Sequence, residues 1–449
     1  MNINEYKIEK SNVYILYSII TFFVIYSIIL FLPDSDKTGI IGSIVCFTIV
    51  SIIIIRAPKI IRQPLFVAFL LRFILAFLVH YIPFLYGYNT NMDGFESRGW
   101  GLAMNWHQGV QFKFIFGAHT YSMIIGMIYY LIGRSPLFIR MVNVFLSTMI
   151  VFNTFKIALL VWQNKRTVKI ATWIVAFFPS LILFGVTILR EAILVYLLTV
   201  SILYLIAHTR NHRISSLFIS LIALLMVINL NSGFFLILIV PVFLLIKNLM
   251  KLVVEKKSIK ILYISVIFII FLIATIVFIN SFLDVSIIGE VRVSSLTDFT
   301  IFEKISSFQN VAARGRAAYL VGKTTSSPVS LLIWLPIRII YFLFMPFPWI
   351  WCNLMDILGG VDAFLYFWII FYSFRGLFQK KSKFFNYTTL WIIILTAGIG
   401  ISVFSAGTSN YGTAWRHRAV FAFLFAILAA SPLSLYRFKN INKIEINEK

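Results

Sequence analysis

Apolar runs that are long enough to cross a lipid bilayer recur along this chain from residue 13 to residue 434. A helix needs roughly 20 apolar residues to span the hydrocarbon core, and only helices or closed barrels satisfy their backbone hydrogen bonds there. Charged residues make up 12% of the 449 residues, about half the fraction that is typical of a soluble domain. The sequence therefore predicts an all-α fold, a polytopic membrane helix bundle with about twelve transmembrane helices and two juxtamembrane or re-entrant helices.

The first apolar run is long enough to span, so we expect a spanning helix there and not a cleaved signal peptide. The predicted spans are 13–32, 39–55, 65–87, 139–161, 168–186, 191–208, 214–229, 233–248, 260–282, 358–374, 387–404 and 417–434. The two remaining apolar stretches, 117–133 and 329–349, are expected to lie at the membrane surface or to re-enter it. Pro336, Pro346 and Pro348, with Arg338 in mid-segment, favour a broken or interfacial helix in the second stretch.

The distribution of basic residues decides which side each loop faces. With 117–133 placed at the surface, 23 of the 39 Lys and Arg residues fall on one side, in short loops and at both termini. Short cytoplasmic loops are enriched in Lys and Arg, so we expect both termini to be cytoplasmic. The net charge of +23 then reflects membrane topology, and we expect no nucleic-acid partner.

The opposite, outer side carries the long loops, and long loops often carry function. We treat 1–449 as a single membrane domain. Its parts are two N-terminal spans in 1–64, a core in 65–282 with the outer loop 88–138, a long outer loop 283–357, and the C-terminal spans in 358–449.

The loop stretch "DGFESRGWGLAMNW" holds two carboxylates, Asp93 and Glu96, in a chain that has only 16 acidic residues. A carboxylate within hydrogen-bond reach can take the proton that an acceptor hydroxyl or amine loses as it attacks a sugar carbon. A solvated loop is the other interpretation of the pair. Trp100 is suited either to stacking on a sugar or to the aromatic belt of the membrane interface.

The same stretch resembles the first outer loop of the GT-C superfamily of membrane glycosyltransferases, in which an acidic residue is followed by an aromatic residue and then a small one. Glu96, Trp100 and Ala103 follow that spacing, and Asp93 lies one turn earlier. The segment that begins "HTYSMIIGMIYYLIGRSPLFIRM" is similar to the family's juxtamembrane helix, Gly-x-Ser-Pro turn and following Arg. The resemblance covers residues 65–210 well and the rest in architecture. Many members carry adjacent acids, whereas Gly94 and Phe95 separate them here.

The resemblance implies a GT-C-like enzyme of the protein-mannosyltransferase or lipid A aminoarabinose-transferase kind, which takes a sugar from undecaprenyl phosphate. Asp93 or Glu96 would be the catalytic base, and we favour Asp93, with Glu96 orienting the acceptor. His119, at the start of the juxtamembrane helix, and Trp100 would contact the acceptor or the sugar. Such a donor needs cations for its phosphate. The candidates are Arg416, His417, Arg418, Arg190, Arg314 and Arg316.

The expected partners are a polyprenyl-phosphate-linked sugar or oligosaccharide and the lipids of a bacterial plasma membrane, with the active site on its outer face. One alternative is a Wzy-type polymerase of O-antigen or capsular polysaccharide, which uses undecaprenyl-diphosphate oligosaccharides. A second alternative is a transporter of lipid-linked glycans. The scattered histidines and the two distant cysteines predict no bound metal and no organic cofactor, and a divalent cation held by Asp93 and Glu96 remains open.

Overall fold

The computed structural model describes residues 36–83, 85–89, 93–162, 164–245, 301–323, 325, 327–377 and 387–447. Within these ranges the secondary structure is helical, and the β-pairing is limited to one bridge between Ala318 and Asn410. The α-helices are α1 Lys37–Arg56, α2 Lys59–Tyr81, α3 Phe95–His107, α4 Thr120–Ile132, α5 Pro136–Trp162, α6 Lys165–Phe177, α7 Pro179–Leu183, α8 Glu191–Asn211, α9 Ile214–Leu230, α10 Ile301–Ala312, α11 Pro328–Phe344, α12 Leu354–Leu377, α13 Tyr387–Gly407, α14 Tyr411–Ala419 and α15 Ala422–Asn447.

Six of these helices are long and apolar enough to cross a membrane, namely α1, α2, α5, α8, α12 and α13. A seventh crossing results if α14 and the apolar part of α15 form one span, bent by 62°. The prediction of an all-helical, multi-pass membrane protein is confirmed for the part of the chain that the structure describes. The predicted number of about twelve spans is not confirmed. The predicted spans 13–32 and 260–282 lie outside the described residues.

Several predicted spans differ from the helices at the same place. The predicted span 233–248 begins with a 3-10 helix, Ser232–Leu238. The predicted span 417–434 begins inside α14 and continues in α15 after the 62° bend. Residues 168–186 do not form one span, because α6 ends at Phe177 and Pro179 begins the five-residue helix α7. Proline has no backbone N–H to continue a helical ladder. The span predicted at 65–87 is α2, which begins at Lys59 and ends at Tyr81, shortly before Pro83. Residues 82, 83 and 85–89, which follow the end of α2, are not helical.

The two apolar stretches that were assigned to the membrane surface are both short helices. α4 has 13 residues, which is too few to cross a bilayer. α11 has 17 residues and continues through Pro336, so the helix within the predicted stretch 329–349 is not broken at this proline. It ends at Phe344, two residues before Pro346. Arg338 of α11 is fully buried and donates hydrogen bonds to the carbonyl oxygens of Thr408 and Lys323, which explains a charge in mid-segment.

One end of the bundle gathers the end of α2, the starts of α5 and α8, and the end of α9. Arg140 of α5 joins two connections there, because it donates to the carbonyl oxygens of Gly87 and Val186. Asn143, one turn along, donates to the carbonyl of Thr187 at 2.6 Å. This end is called the polar end below. The basic connections between α1 and α2, α5 and α6, and α8 and α9 lie at the opposite end.

The predicted outer loop 88–138 is largely a helical hairpin made of α3 and α4. The two helices pack closely at Gly99 and Gly126, where a Cβ atom on Gly99 would lie 2.6 Å from Ile125 Cγ2. Only glycine therefore fits at this crossing. The hairpin carries both Asp93, at its entrance, and His119, just before α4, to the polar end.

Candidate active site

Asp93 lies immediately before α3, next to Gly94, whose φ of +70° is in the left-handed region that glycine adopts without strain. The Asp93 side chain is 33% exposed. One of its carboxylate oxygens, Oδ2, lies 2.8 Å from Nη2 of Arg416 on α14. The acid of the first outer loop and the arginine of the C-terminal motif, both predicted from the sequence as functional residues, therefore meet in the structure.

Glu191 is the second carboxylate bound to Arg416. Its Oε1 accepts hydrogen bonds from Nε of Arg416 at 3.0 Å and from Nη2 at 2.7 Å. The Glu191 side chain is only 5% exposed. Its other oxygen, Oε2, has no hydrogen-bond partner, and it is the one buried carboxylate oxygen in this condition among the described residues. Buried carboxylate oxygens are normally satisfied, so this atom marks an incomplete polar site.

Arg190 and His119 lie beside Asp93, Glu191 and Arg416, and both contact the ring of Phe95. The Arg190 guanidinium lies over the ring of Phe95, with its Cζ 5.9 Å from the ring centroid, and Nη1 donates to the carbonyl oxygen of Leu230 at 2.6 Å. His119 contacts the same ring edge-on, with centroids 6.1 Å apart. Burial lowers the pKa of His119, and the nearby Arg98 and Arg190 lower it further. His119 is therefore a neutral group in a positively charged surrounding.

Tyr86 and Asn229 also surround this site, and neither was predicted as a site residue. Tyr86 lies within electrostatic range of Arg416, Glu191 and Asp93, and burial raises its pKa. Asn229, in the last turn of α9, accepts from the Gly117 N–H at 3.0 Å and donates to Thr120 Oγ1 at 2.8 Å, which fixes the backbone around His119. Neither residue belongs to a sequence motif. Their positions depend on which helices pack together.

The formal charges of the cluster balance, since Asp93 and Glu191 face Arg190 and Arg416. The Arg416 side chain is 16% exposed, and Arg98, at the entrance to α3, is exposed to solvent. An anion that reaches the cluster therefore finds a partly accessible guanidinium and a further cation at the rim. A carboxylate with a third of its surface accessible lies beside that guanidinium. This combination can bind a phosphate and can accept a proton from a neighbouring group.

Glu96 is not part of this cluster. It is fully buried, and it accepts a bidentate pair of hydrogen bonds from Arg134 Nε and Nη2, both at 2.9 Å. Tyr129 of α4 donates a third hydrogen bond at 3.1 Å. Trp100 packs against the same pair, with the Arg134 guanidinium 5.8 Å from its ring centroid. Glu96 and Trp100 thus hold α3 against α4, and the structure does not place them beside Asp93.

The other four predicted phosphate-binding residues each have a different environment. Arg418 is fully buried, donates to the carbonyl oxygens of Leu343 and Met345 at the end of α11, and pairs with Asp362. His417 stacks on Phe404 with centroids 4.6 Å apart. Arg316 forms a bidentate pair with Asp356 at 2.7 and 3.1 Å, whereas Arg314 is exposed. Of the six candidates, Arg416 contacts Asp93 and Glu191 directly, and Arg190 and His417 lie within electrostatic range of Asp93.

Most buried arginines of this chain serve the ends of broken helices. They donate to backbone carbonyl oxygens, many at or next to a helix terminus, where four carbonyls lack an intrahelical partner. Arg72, for example, donates to the carbonyls of Val175 and Ala176 at the end of α6. The others in this role are Arg62, Arg140, Arg190, Arg210, Arg338 and Arg418. Arg416 differs from them, since its hydrogen bonds within the described residues go to carboxylates.

No group of three or more His, Cys, Asp or Glu side chains that could hold a metal ion occurs in the described part of the chain. Asp93 and Glu96, for which a divalent cation was left open, are separated, because Asp93 binds Arg416 and Glu96 binds Arg134. The chain matches no protein-family model, no curated protein and no solved structure. The function is therefore argued from the residues of the site.

Proposed function

We propose that this protein is a glycosyltransferase of the bacterial plasma membrane, which moves a sugar from a polyprenyl-phosphate donor to a hydroxyl or amine of an acceptor glycan or lipid. The observation that supports it best is the meeting of Asp93 and Arg416. A carboxylate whose side chain is 33% exposed and a guanidinium whose side chain is 16% exposed lie 2.8 Å apart at the end of a membrane helix bundle. One can serve as a base and the other can bind a phosphate.

The reaction needs both groups at the same moment. The acceptor oxygen or nitrogen forms a bond to the anomeric carbon of the sugar, and its proton passes to the Asp93 carboxylate. The bond between that carbon and the phosphate oxygen breaks, and the electron pair stays on the phosphate. The leaving polyprenyl phosphate gains one negative charge, and Arg416 stabilises this charge through charge-assisted hydrogen bonds.

The charges of the cluster favour a monophosphate donor. A sugar linked to a polyprenyl monophosphate carries one negative charge, whereas a diphosphate-linked oligosaccharide carries two. The described cluster has two carboxylates beside its two arginines, and these carboxylates oppose the second charge. Arg418 and Arg316, which were candidates for additional phosphate contacts, are paired with Asp362 and Asp356. The charges of the cluster therefore favour a transferase that uses a monophosphate donor over a polymerase of diphosphate-linked units.

The transporter alternative requires ionisable residues that line a path through the membrane. The strongest candidate is Arg72 in the middle of α2, and its guanidinium donates to the carbonyl oxygens of Ala68, Val175 and Ala176. These hydrogen bonds cap the C-terminal end of α6, so the role of Arg72 is structural. The arrangement therefore gives the transporter no support.

The outer face of the membrane is the proposed location of the site. The connections at the end of the bundle opposite the polar end carry the basic residues Arg56, Lys59, Lys165, Arg166 and Arg213. The positive-inside rule assigns that end to the cytoplasm. The polar end, with Asp93 and Arg416, then faces outward, where lipid-linked sugars are used for surface polysaccharides.

The decisive experiment is reconstitution. The purified chain, in nanodiscs of phosphatidylcholine and phosphatidylglycerol, is incubated with a membrane extract of lipid-linked sugars from a strain that lacks the gene. Mass spectrometry should show a glycan product and free polyprenyl phosphate in equal amounts. The Asp93→Asn variant should form neither. Release of polyprenyl diphosphate would favour the polymerase, and loss of donor from one leaflet without a product would favour the transporter.

A further inference from the structure

The two carboxylates that bind Arg416 differ in burial and in the number of bonds they make. Glu191 is 5% exposed and accepts from Nε and from Nη2. Asp93 is 33% exposed, and its ion pair with the guanidinium is through Nη2, at 2.8 Å. An anion from solvent can therefore compete for the position of Asp93 far more easily than for that of Glu191.

The two carboxylates also contact different edges of the Arg416 guanidinium. A planar guanidinium offers two parallel forks for an oxyanion, one formed by Nε with an Nη atom and one formed by the two Nη atoms. Glu191 occupies the first fork of Arg416 through Nε and Nη2. On the second fork Asp93 contacts Nη2, and Nη1 has no hydrogen-bond partner among the described residues. A phosphate that binds this fork with two oxygens needs the place of Asp93.

We propose that Glu191 is a positioning residue that holds Arg416 in every state, and that the donor's phosphate displaces Asp93 from the second fork of the guanidinium. Asp93 is then released from its ion pair, and it can accept a proton from the acceptor. This proposal rests on the transferase function proposed above. It adds an order of events, because the base becomes available only after the donor has bound.

The position of Asp93 in the chain is compatible with such a release. Asp93 precedes α3 and is not itself helical, and Gly94 forms the N-cap in the left-handed conformation. The rest of α3 is fixed to α4 by the Glu96–Arg134 pair. Hence the carboxylate can leave Arg416 without moving the hairpin. Glu191 has no such freedom, because it begins the buried helix α8.

The test is direct binding of a phosphate ligand that cannot react. Decaprenyl phosphate, with decaprenol as the uncharged reference, is titrated into the full-length protein in nanodiscs of phosphatidylcholine. The variants are Asp93→Asn and Glu191→Gln. The control is Asp36→Asn, since Asp36 lies near the polar end but pairs with His80 and Tyr81. Glycosyl transfer is measured separately on the same preparations.

The two variants should change phosphate affinity in opposite directions. Asp93→Asn removes the competitor and should tighten decaprenyl phosphate binding by roughly tenfold, the size of one charge-assisted hydrogen bond. Glu191→Gln removes the anchor, so the guanidinium turns fully to Asp93, and binding should weaken by roughly tenfold. The control should bind as the wild type does. Decaprenol should show no difference among the four proteins.

Three results would overturn the proposal. If both variants tighten binding, the effect is general charge repulsion and Asp93 is not the exchangeable partner. If Asp93→Asn binds no better than the wild type, no competition exists. If phosphatidylglycerol, used in place of decaprenyl phosphate, shows the same opposed changes, the site binds ordinary lipid headgroups. Opposed changes for decaprenyl phosphate in a protein that transfers no sugar would uphold the exchange and reject the transferase.

Discussion

Arg416 and Arg418 lie two residues apart on α14, yet their guanidinium groups have different partners. Arg416 binds the carboxylates of Asp93 and Glu191, while Arg418 is fully buried and donates to the carbonyl of Gly359 at 3.0 Å. Successive residues of an α-helix are rotated by about 100°, so residues two apart point to nearly opposite sides. The two arginines, both candidates for binding the donor's phosphate, therefore do not meet at one site in the structure.

The two arginines should give different phenotypes when each is changed to lysine. Arg416→Lys keeps a positive charge but loses the fork that binds two oxygens at once. We expect decaprenyl phosphate affinity to fall by roughly 10- to 100-fold, the size of one or two charged hydrogen bonds, with little change in melting temperature. Arg418→Lys cannot satisfy the carbonyls that follow α11, so the melting temperature and the yield of folded protein should fall instead. If both variants lowered decaprenyl phosphate affinity equally and had the same melting temperature, the two arginines would not have these separate roles.

Substitutions of Asp93 and of Glu96, the two carboxylates at the start of α3, should have different effects. Asp93→Asn keeps the shape of the side chain but removes the base, and we expect turnover to fall by roughly 10²- to 10⁴-fold. Glu96→Gln leaves Arg134 and Tyr129 without their charged acceptor, so it should lower the melting temperature while the folded fraction keeps most of its turnover. The measurements are product formation per folded molecule and thermal unfolding. If Glu96→Gln abolishes turnover in a fully stable protein, the base is Glu96.

His119 should make the protein sensitive to mild acid. The pKa of His119 in the folded state is lowered by burial and by Arg98 and Arg190. Below the unfolded pKa of about 6.5, the unfolded chain binds a proton that the folded chain does not bind, so stability declines as the pH falls. We expect the melting temperature to fall between pH 7.5 and pH 5.5, and to fall less in His119→Asn. Parallel declines in both proteins would show that His119 is not responsible.

The sequence allowed Asp93, Arg416, Arg190 and His119 to be predicted as site residues because each follows or precedes an apolar run. The predicted membrane topology places these residues on the same side of the bilayer, although they are far apart in the sequence. The predicted topology could not show that Glu191 would bind Arg416, since this contact depends on how α8 packs beside α14. It also could not show that Glu96 faces α4, because the loop was not recognised as a helical hairpin.

The roles of the arginines were the least predictable from the sequence. Arg72, Arg338 and Arg418 each carry a charge into an apolar segment, which is also the pattern of a ligand site. In the structure they bind carbonyl oxygens near breaks in the helices. One signal was present, since Pro179 and Pro346 mark two of those breaks. An arginine in a membrane helix of a chain with several proline breaks is more safely interpreted as a cap.

The location of the site can be tested by labelling single cysteines in intact cells, after replacing Cys46 and Cys352. Positions 98 and 314 are exposed and belong to the segments proposed to face outward, and positions 165 and 213 are exposed at the opposite, basic end. A membrane-impermeant thiol reagent should label the cysteines of Arg98→Cys and Arg314→Cys, because the positive-inside rule assigns the basic end to the cytoplasm. Lys165→Cys and Arg213→Cys should react only after the membrane is permeabilised. If instead Lys165→Cys is labelled in intact cells and Arg98→Cys is protected, the cluster of Asp93 and Arg416 faces the cytoplasm, and a donor presented on the outer leaflet cannot be its substrate.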